Sequence, residues 1–134
     1  MNDENFLHSN LTDRVIKCYY TVYNKLGYGF LEKVYENALK YELEKCGLVV
    51  ETQKPIKVMY EERIVGDYYA DLIVNNVVIV ELKASEMLNK NHQYQLQNYL
   101  KATNIEVGLL LNFGHKPEFT RRVFTNERKF PESV

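Results

Sequence analysis

Cysteine is scarce. The 134 residues hold two, Cys18 and Cys46, with no C-x-x-C pair and no histidine at ligand spacing. That excludes a disulfide framework and a zinc-finger-type site, and both thiols are expected to be buried small hydrophobes in a reducing compartment. Excess charge is missing too: 17 basic residues face 18 acidic ones. No global field therefore draws in a polyanion, and any nucleic-acid contact must rest on a local patch or a metal. No apolar run approaches the ~18–20 residues of a membrane span. The opening MNDENFLHSN is polar and acidic, unlike a signal peptide, so a cytoplasmic chain with no membrane contact is expected. Repeats, linkers and low-complexity segments are also lacking. One domain over residues 1–134 is expected, long enough to bury about two-thirds of its unfolded surface.

What is present centres on residues 69–84, YADLIVNNVVIVELKA. Leu72, Ile73 and Val74 precede a turn-forming Asn75-Asn76 pair, and Val77 to Val80 follow it, which reads as a β-hairpin buried on both faces. Asp71, Glu81 and Lys83 interrupt this apolar run. An unpaired carboxylate removed from water costs several kcal/mol, so the three must be paired, metal-bound or set at the sheet's end beside a cleft. Two carboxylates and a main-chain carbonyl suit a hard cation such as Mg²⁺, and a lysine beside them suits attack on a phosphodiester. The plainer alternative is a buried ion pair of Lys83 with Glu81 or Asp71.

Parity constrains that site. A two-residue loop at Asn75-Asn76 pairs Val74 with Val77 and hence Asp71 with Val80, which turns Glu81 away from Asp71. Joint ligation requires an odd offset, from a three-residue connection, a β-bulge or splayed strands.

Before the hairpin, apolar residues recur at helical period over residues 11–26, stop at Gly27-Tyr28-Gly29, and resume over 30–46 with Cys46 facing inward. Glu32 falls in the first turn of the second helix, where a carboxylate also simply complements the helix dipole. Strands are expected near 48–53, 55–60, 63–74 and 77–83, with Pro55 marking an edge or a break. A helix over 92–102 puts Gln95 and Tyr99 on one face, as an ordinary amphipathic helix also would, and leaves His92 at its start. The apolar run 105–111 suits a central strand laid parallel to a hairpin strand by a crossover. Asn112-Phe113-Gly114 reads as a turn. Beyond it Lys116, Arg121, Arg122, Arg128 and Lys129 outnumber Glu118 and Glu127, making either a phosphate-binding patch or a solvated edge strand.

Asp71 with Glu81-Leu82-Lys83 resembles the active-site signature of the PD-(D/E)XK nuclease superfamily. Gly29, Glu32 and Tyr35 fit the G-x-x-E-x-x-Y pattern of the GxxExxY protein family, and Gln95 with Tyr99 fits the Q-x-x-x-Y motif of RecB-type nucleases. The similarity covers residues 11–124. It implies an α/β, restriction-endonuclease-like core in the order α-α-β-β-β-α-β, a mixed β-sheet flanked by helices. It further implies a nuclease dependent on Mg²⁺ or Mn²⁺. Asp71, Glu81 and the Leu82 carbonyl would bind the metal, Glu32 would complete the site directly or through water, Lys83 would serve catalysis, and Gln95 and Tyr99 would orient substrate. The partner implied is nucleic acid, DNA before RNA; a homo-oligomer is left open. The rival reading is a noncatalytic nucleic-acid-binding or protein-interaction module on the same fold.

Overall fold

In the computed structural model, which describes residues 6–129, two helices pack on one face of a five-stranded sheet and a crossover helix packs on the other. The first helix, α1 (Ser9–Leu26), buries Val15, Cys18, Tyr19 and Val22, one stripe at helical spacing. It ends at Gly27, whose φ of 67° suits a residue without Cβ and whose N–H bonds Tyr23 O over 2.8 Å. The second helix, α2 (Glu32–Lys45), buries Tyr35, Glu36, Leu39 and Leu43. Tyr35 clamps the break between them: its hydroxyl donates to Gly27 O over 2.7 Å and accepts from Phe30 N over 3.2 Å. Its ring stacks on Phe113, 4.1 Å between centroids. Cys46 is exposed rather than inward-facing, because it lies just past the last turn of α2.

The strands β1 (Val50–Tyr60), β2 (Arg63–Val74), β3 (Val78–Lys83), β4 (Val107–Phe113) and β5 (Pro117–Val123) lie in that order across the sheet. All neighbours are antiparallel except β3 and β4, which the helix α3 (Lys90–Lys101) connects as a crossover. The sheet is therefore mixed, with the apolar run around residues 107–113 at its interior as the sequence implies. Leu72, Val74, Val78, Val80 and Leu82 face α1 and α2, whereas Ile73, Ile79 and Leu110 face Leu96, Tyr99 and Leu100 of α3. Truncating one such fully buried leucine to alanine typically costs ~2–5 kcal/mol.

Three details differ from expectation. The strands expected at 48–53 and 55–60 are one edge strand, since an edge tolerates the N–H that Pro55 lacks. Asn112 and Phe113 complete β4 rather than opening a turn, and the chain reverses over residues 114–116. The tail then adds β5 and a short helix α4 (Asn126–Lys129) to the expected element order. Among the described residues no helix is long and apolar enough to cross a membrane.

Candidate active site

The connection between β2 and β3 is Asn75-Asn76-Val77, three residues, with both asparagines at positive φ (50° and 60°). Asparagine tolerates that region better than most side chains. The odd length sets Leu72 opposite Val80 and Ile73 opposite Ile79, and carried one step further the register brings Asp71 beside Glu81. Here the ladder gives way to side chains. Asp71 N–H donates to Glu81 Oε2 over 2.8 Å, and Leu82 N–H donates to Asp71 Oδ2 over 2.9 Å. Each carboxylate thus caps the other strand's main chain, which fixes both at the point where the strands part.

The electrostatics follow from this placement. Burial, and after it the charge of Asp71, pushes the Glu81 carboxyl up to about 8. Burial likewise raises Asp71, while the Leu82 N–H opposes the shift. Glu81 Oε1 has no protein donor among the described residues. Lys83, half-buried at the end of β3, forms no ion pair within 4 Å of a carboxylate among them, and the buried-ion-pair alternative has no geometric support. Two residues on, Asn112 fixes the chain: its Oδ1 accepts from Ser85 N over 3.0 Å and its Nδ2 donates to Ser85 O over 2.9 Å.

Tyr99 and Gln95 stand one turn apart on α3. Burial, then the charges of Glu81 and Asp71, raises the Tyr99 hydroxyl to about 12, so it is a neutral donor. His92 is a helix-start residue. Its Nδ1 accepts from Asn89 N and its own N–H bonds Asn89 Oδ1, a reciprocal cap. Burial lowers its pKa, and Lys83 and Glu32 are the charges that act on it.

Glu32 is exposed on the first turn of α2, near enough for its charge to raise Glu81. Among the described residues, however, no three His, Cys, Asp or Glu side chains converge closely enough to hold a metal. Direct ligation by Glu32 beside Asp71 and Glu81 therefore finds no support in the geometry, because its side chain points to solvent a turn ahead of the buried stripe.

One turn further along α2, Glu36 is the buried carboxylate, 5% exposed. It pairs with Lys33 at 2.7 Å. The amide of Gln53 donates to Glu36 Oε1 over 2.9 Å and to Asp71 Oδ1 over 3.4 Å, linking α2 to the carboxylate pair through β1. Gln53 holds φ at 50° inside a strand, a conformation that non-glycine residues rarely adopt and that clusters at functional sites. No sequence pattern singles out either residue.

Three of the five basic residues of the tail are hydrogen-bonded to neighbouring segments. Arg121 donates to Leu7 O and Thr12 Oγ1, Arg122 to Gln93 Oε1, and Lys129 to Thr103 O and Ile105 O. These side chains tie β5 and the chain end to their neighbours.

Residues 9–123 match the family model described as the PD-(D/E)XK nuclease superfamily. Among solved structures, that of SSO0001 superposes with a TM-score of 0.53 at 17% identity, a likeness of fold. The match covers 93% of this chain and 64% of that one, so the present chain spans less than two-thirds of SSO0001. Comparison with curated proteins gives no match.

Proposed function

This chain belongs to the PD-(D/E)XK nuclease superfamily, and on that premise we propose that it hydrolyses phosphodiester bonds in nucleic acid with Mg²⁺ or Mn²⁺, DNA before RNA. Nucleases of this superfamily generally use divalent metals. Within it, we place the chain in the GxxExxY group, whose pattern Gly29, Glu32 and Tyr35 fit, as one cytoplasmic nuclease-like domain. The observation that carries the reading is the odd-length connection, which sets Asp71 beside Glu81 in a desolvated place where two like charges call for a cation. Both carboxylates raised above their ordinary range, with Glu81 Oε1 open, are a donor set that fits such an ion. Asp71, Glu81 and the Leu82 carbonyl would hold it, with Glu32 reaching it through water.

A bound divalent ion supplies charge stabilisation at the phosphoryl oxygens and acidifies water. Water oxygen attacks phosphorus, the bond to the departing sugar oxygen breaks, and the proton lost by water is balanced by one gained at that oxygen. Lys83 Nζ, with no carboxylate within 4 Å among the described residues, orients the attacking water or neutralises the charge that develops. Gln95 and the neutral Tyr99 hydroxyl donate hydrogen bonds to the substrate phosphate, holding it against the carboxylates.

The test is incubation of the protein with labelled single- and double-stranded DNA and RNA in Mg²⁺, Mn²⁺ or EDTA. Cleavage with metal, absent in EDTA and reduced at least ~100-fold in Lys83→Ala and Asp71→Asn, supports hydrolysis. Binding of substrate with no cleavage in either metal, and no heat of Mn²⁺ binding lost in Asp71→Asn, would establish the rival noncatalytic module.

A further inference from the structure

A cleft of about 790 Å³ runs between the outer half of the β1–β2 hairpin and α3, with Gln95 and Tyr99 at its inner end. Tyr99 belongs to the same buried cluster as Ala70, the residue before Asp71, and Ile79, two before Glu81, so this end of the cleft adjoins the carboxylate pair. Its walls carry two aromatic faces that the core does not use fully, Tyr68 at 47% exposure and Tyr94 at 57%. Tyr68 is held in place from below, its ring 5.7 Å from that of Tyr99. Gly66 makes room for it, since a Cβ there would come within 3.0 Å of the Tyr68 ring and 3.1 Å of Val58. The lining also carries the neutral amides Asn91, Gln95 and Asn98.

Resting on the nuclease reading, we infer that this cleft takes a single unpaired nucleic-acid strand, stacks its bases on Tyr68 and Tyr94, and leads it to the carboxylates. Charge decides between strand and duplex. Duplex binding without base stacking needs several phosphates neutralised by free lysine or arginine. Here Lys57 is already paired with Asp67 at 3.1 Å, and Lys101 lies over the Phe124 ring. With net charge −1 on the whole chain, the cleft offers little to a phosphate backbone. Flat rings and amides offer much to an unstacked base, whose face stacks and whose edge hydrogen-bonds. The volume also falls in the range of small-ligand pockets, which suits a few nucleotides of one strand and not a double helix.

Binding of labelled oligothymidylate, oligouridylate and a duplex of equal length is measured by fluorescence anisotropy in EDTA, so that no cleavage intervenes. Wild type is expected to bind a single strand at least about tenfold tighter than duplex, and the tighter of the two strands identifies the sugar. Tyr94→Ala is expected to weaken strand binding by roughly 5- to 150-fold, the range for one stacked base, while Tyr94→Phe retains it. Tyr68→Ala should weaken binding similarly, but it also removes a contact with Tyr99, so the more exposed Tyr94 decides the matter. Duplex bound as tightly as single strand, or strand affinity unchanged in Tyr94→Ala, overturns the inference. If metal-dependent cleavage persists alongside that result, only the strand assignment fails. If strand binding depends on Tyr94 but no metal produces cleavage, the cleft stands and hydrolysis fails.

Discussion

Asp71 and Glu81 hold each other through the main chain: the N–H of Asp71 caps Glu81, and Asp71 in turn caps the residue after Glu81. This arrangement keeps two acids together without a lysine between them, at the cost of raising both. The Glu81 carboxyl is moved from 4.5 to about 8, chiefly by burial. Between those values the folded protein keeps a proton that the unfolded chain releases, so stability must fall as pH rises through that window, by at most about 1.4 kcal/mol per pH unit. Metal-free protein is expected to lose Tm from pH 5 to pH 8, and Glu81→Gln to flatten the curve. A wild-type Tm that rises over this range in EDTA would contradict the desolvated pair.

Among the described residues Lys83 forms no ion pair with a carboxylate within 4 Å, so little folding energy should rest on its charge. Removing one partner of a buried pair costs ~3–5 kcal/mol, whereas Lys83→Ala is expected to change stability by less than about 1 kcal/mol in urea titration. A destabilisation of several kcal/mol would restore the ion-pair reading.

Tyr35 tests whether the break between α1 and α2 is held from inside. Tyr35→Phe leaves Gly27 O and Phe30 N without their partner while keeping the ring on Phe113. A loss of ~1–3 kcal/mol is expected, seen as a lower denaturation midpoint with unchanged slope. No loss would show that water replaces the hydroxyl at little cost.

The two thiols lie 3.9 Å apart yet differ in reach. Cys46 is exposed, whereas burial, followed by the Cys46 neighbour, pushes the Cys18 thiol up to about 11. Since the thiolate is the reactive form, iodoacetamide at pH 8 is expected to label Cys46 quickly and Cys18 only on unfolding. Two fast adducts by mass spectrometry would mean that α1 and α2 separate readily.

The parts legible in the sequence are those with a local period or a fixed spacing. The apolar runs on either side of Asn75-Asn76 located the hairpin, and parity required an odd offset, which the three-residue connection supplies. Helical stripes located both N-terminal helices and α3 to within a few residues. Gln53 and Glu36 were hidden because their contact with Asp71 joins three separate elements, and because Gln53 sits where the strand was expected to end. For the basic tail, a phosphate patch and an edge strand were equally open; it forms the edge strand β5, and counting charges cannot show that Arg121, Arg122 and Lys129 bond carbonyl and side-chain oxygens. Pro55 left an edge or a break open, and the strand runs on as an edge.

The three-residue connection at Asn75-Asn76-Val77 also limits how this gene can drift. A single-codon insertion or deletion there would exchange Ile79 and Glu81 for their neighbours, driving a carboxylate among Leu72, Val74 and Leu109 and leaving Asp71 alone. A two-codon change would return Glu81 to its side. Length variation at this point should therefore come in even steps, and a lineage that has taken an odd one has given up the site.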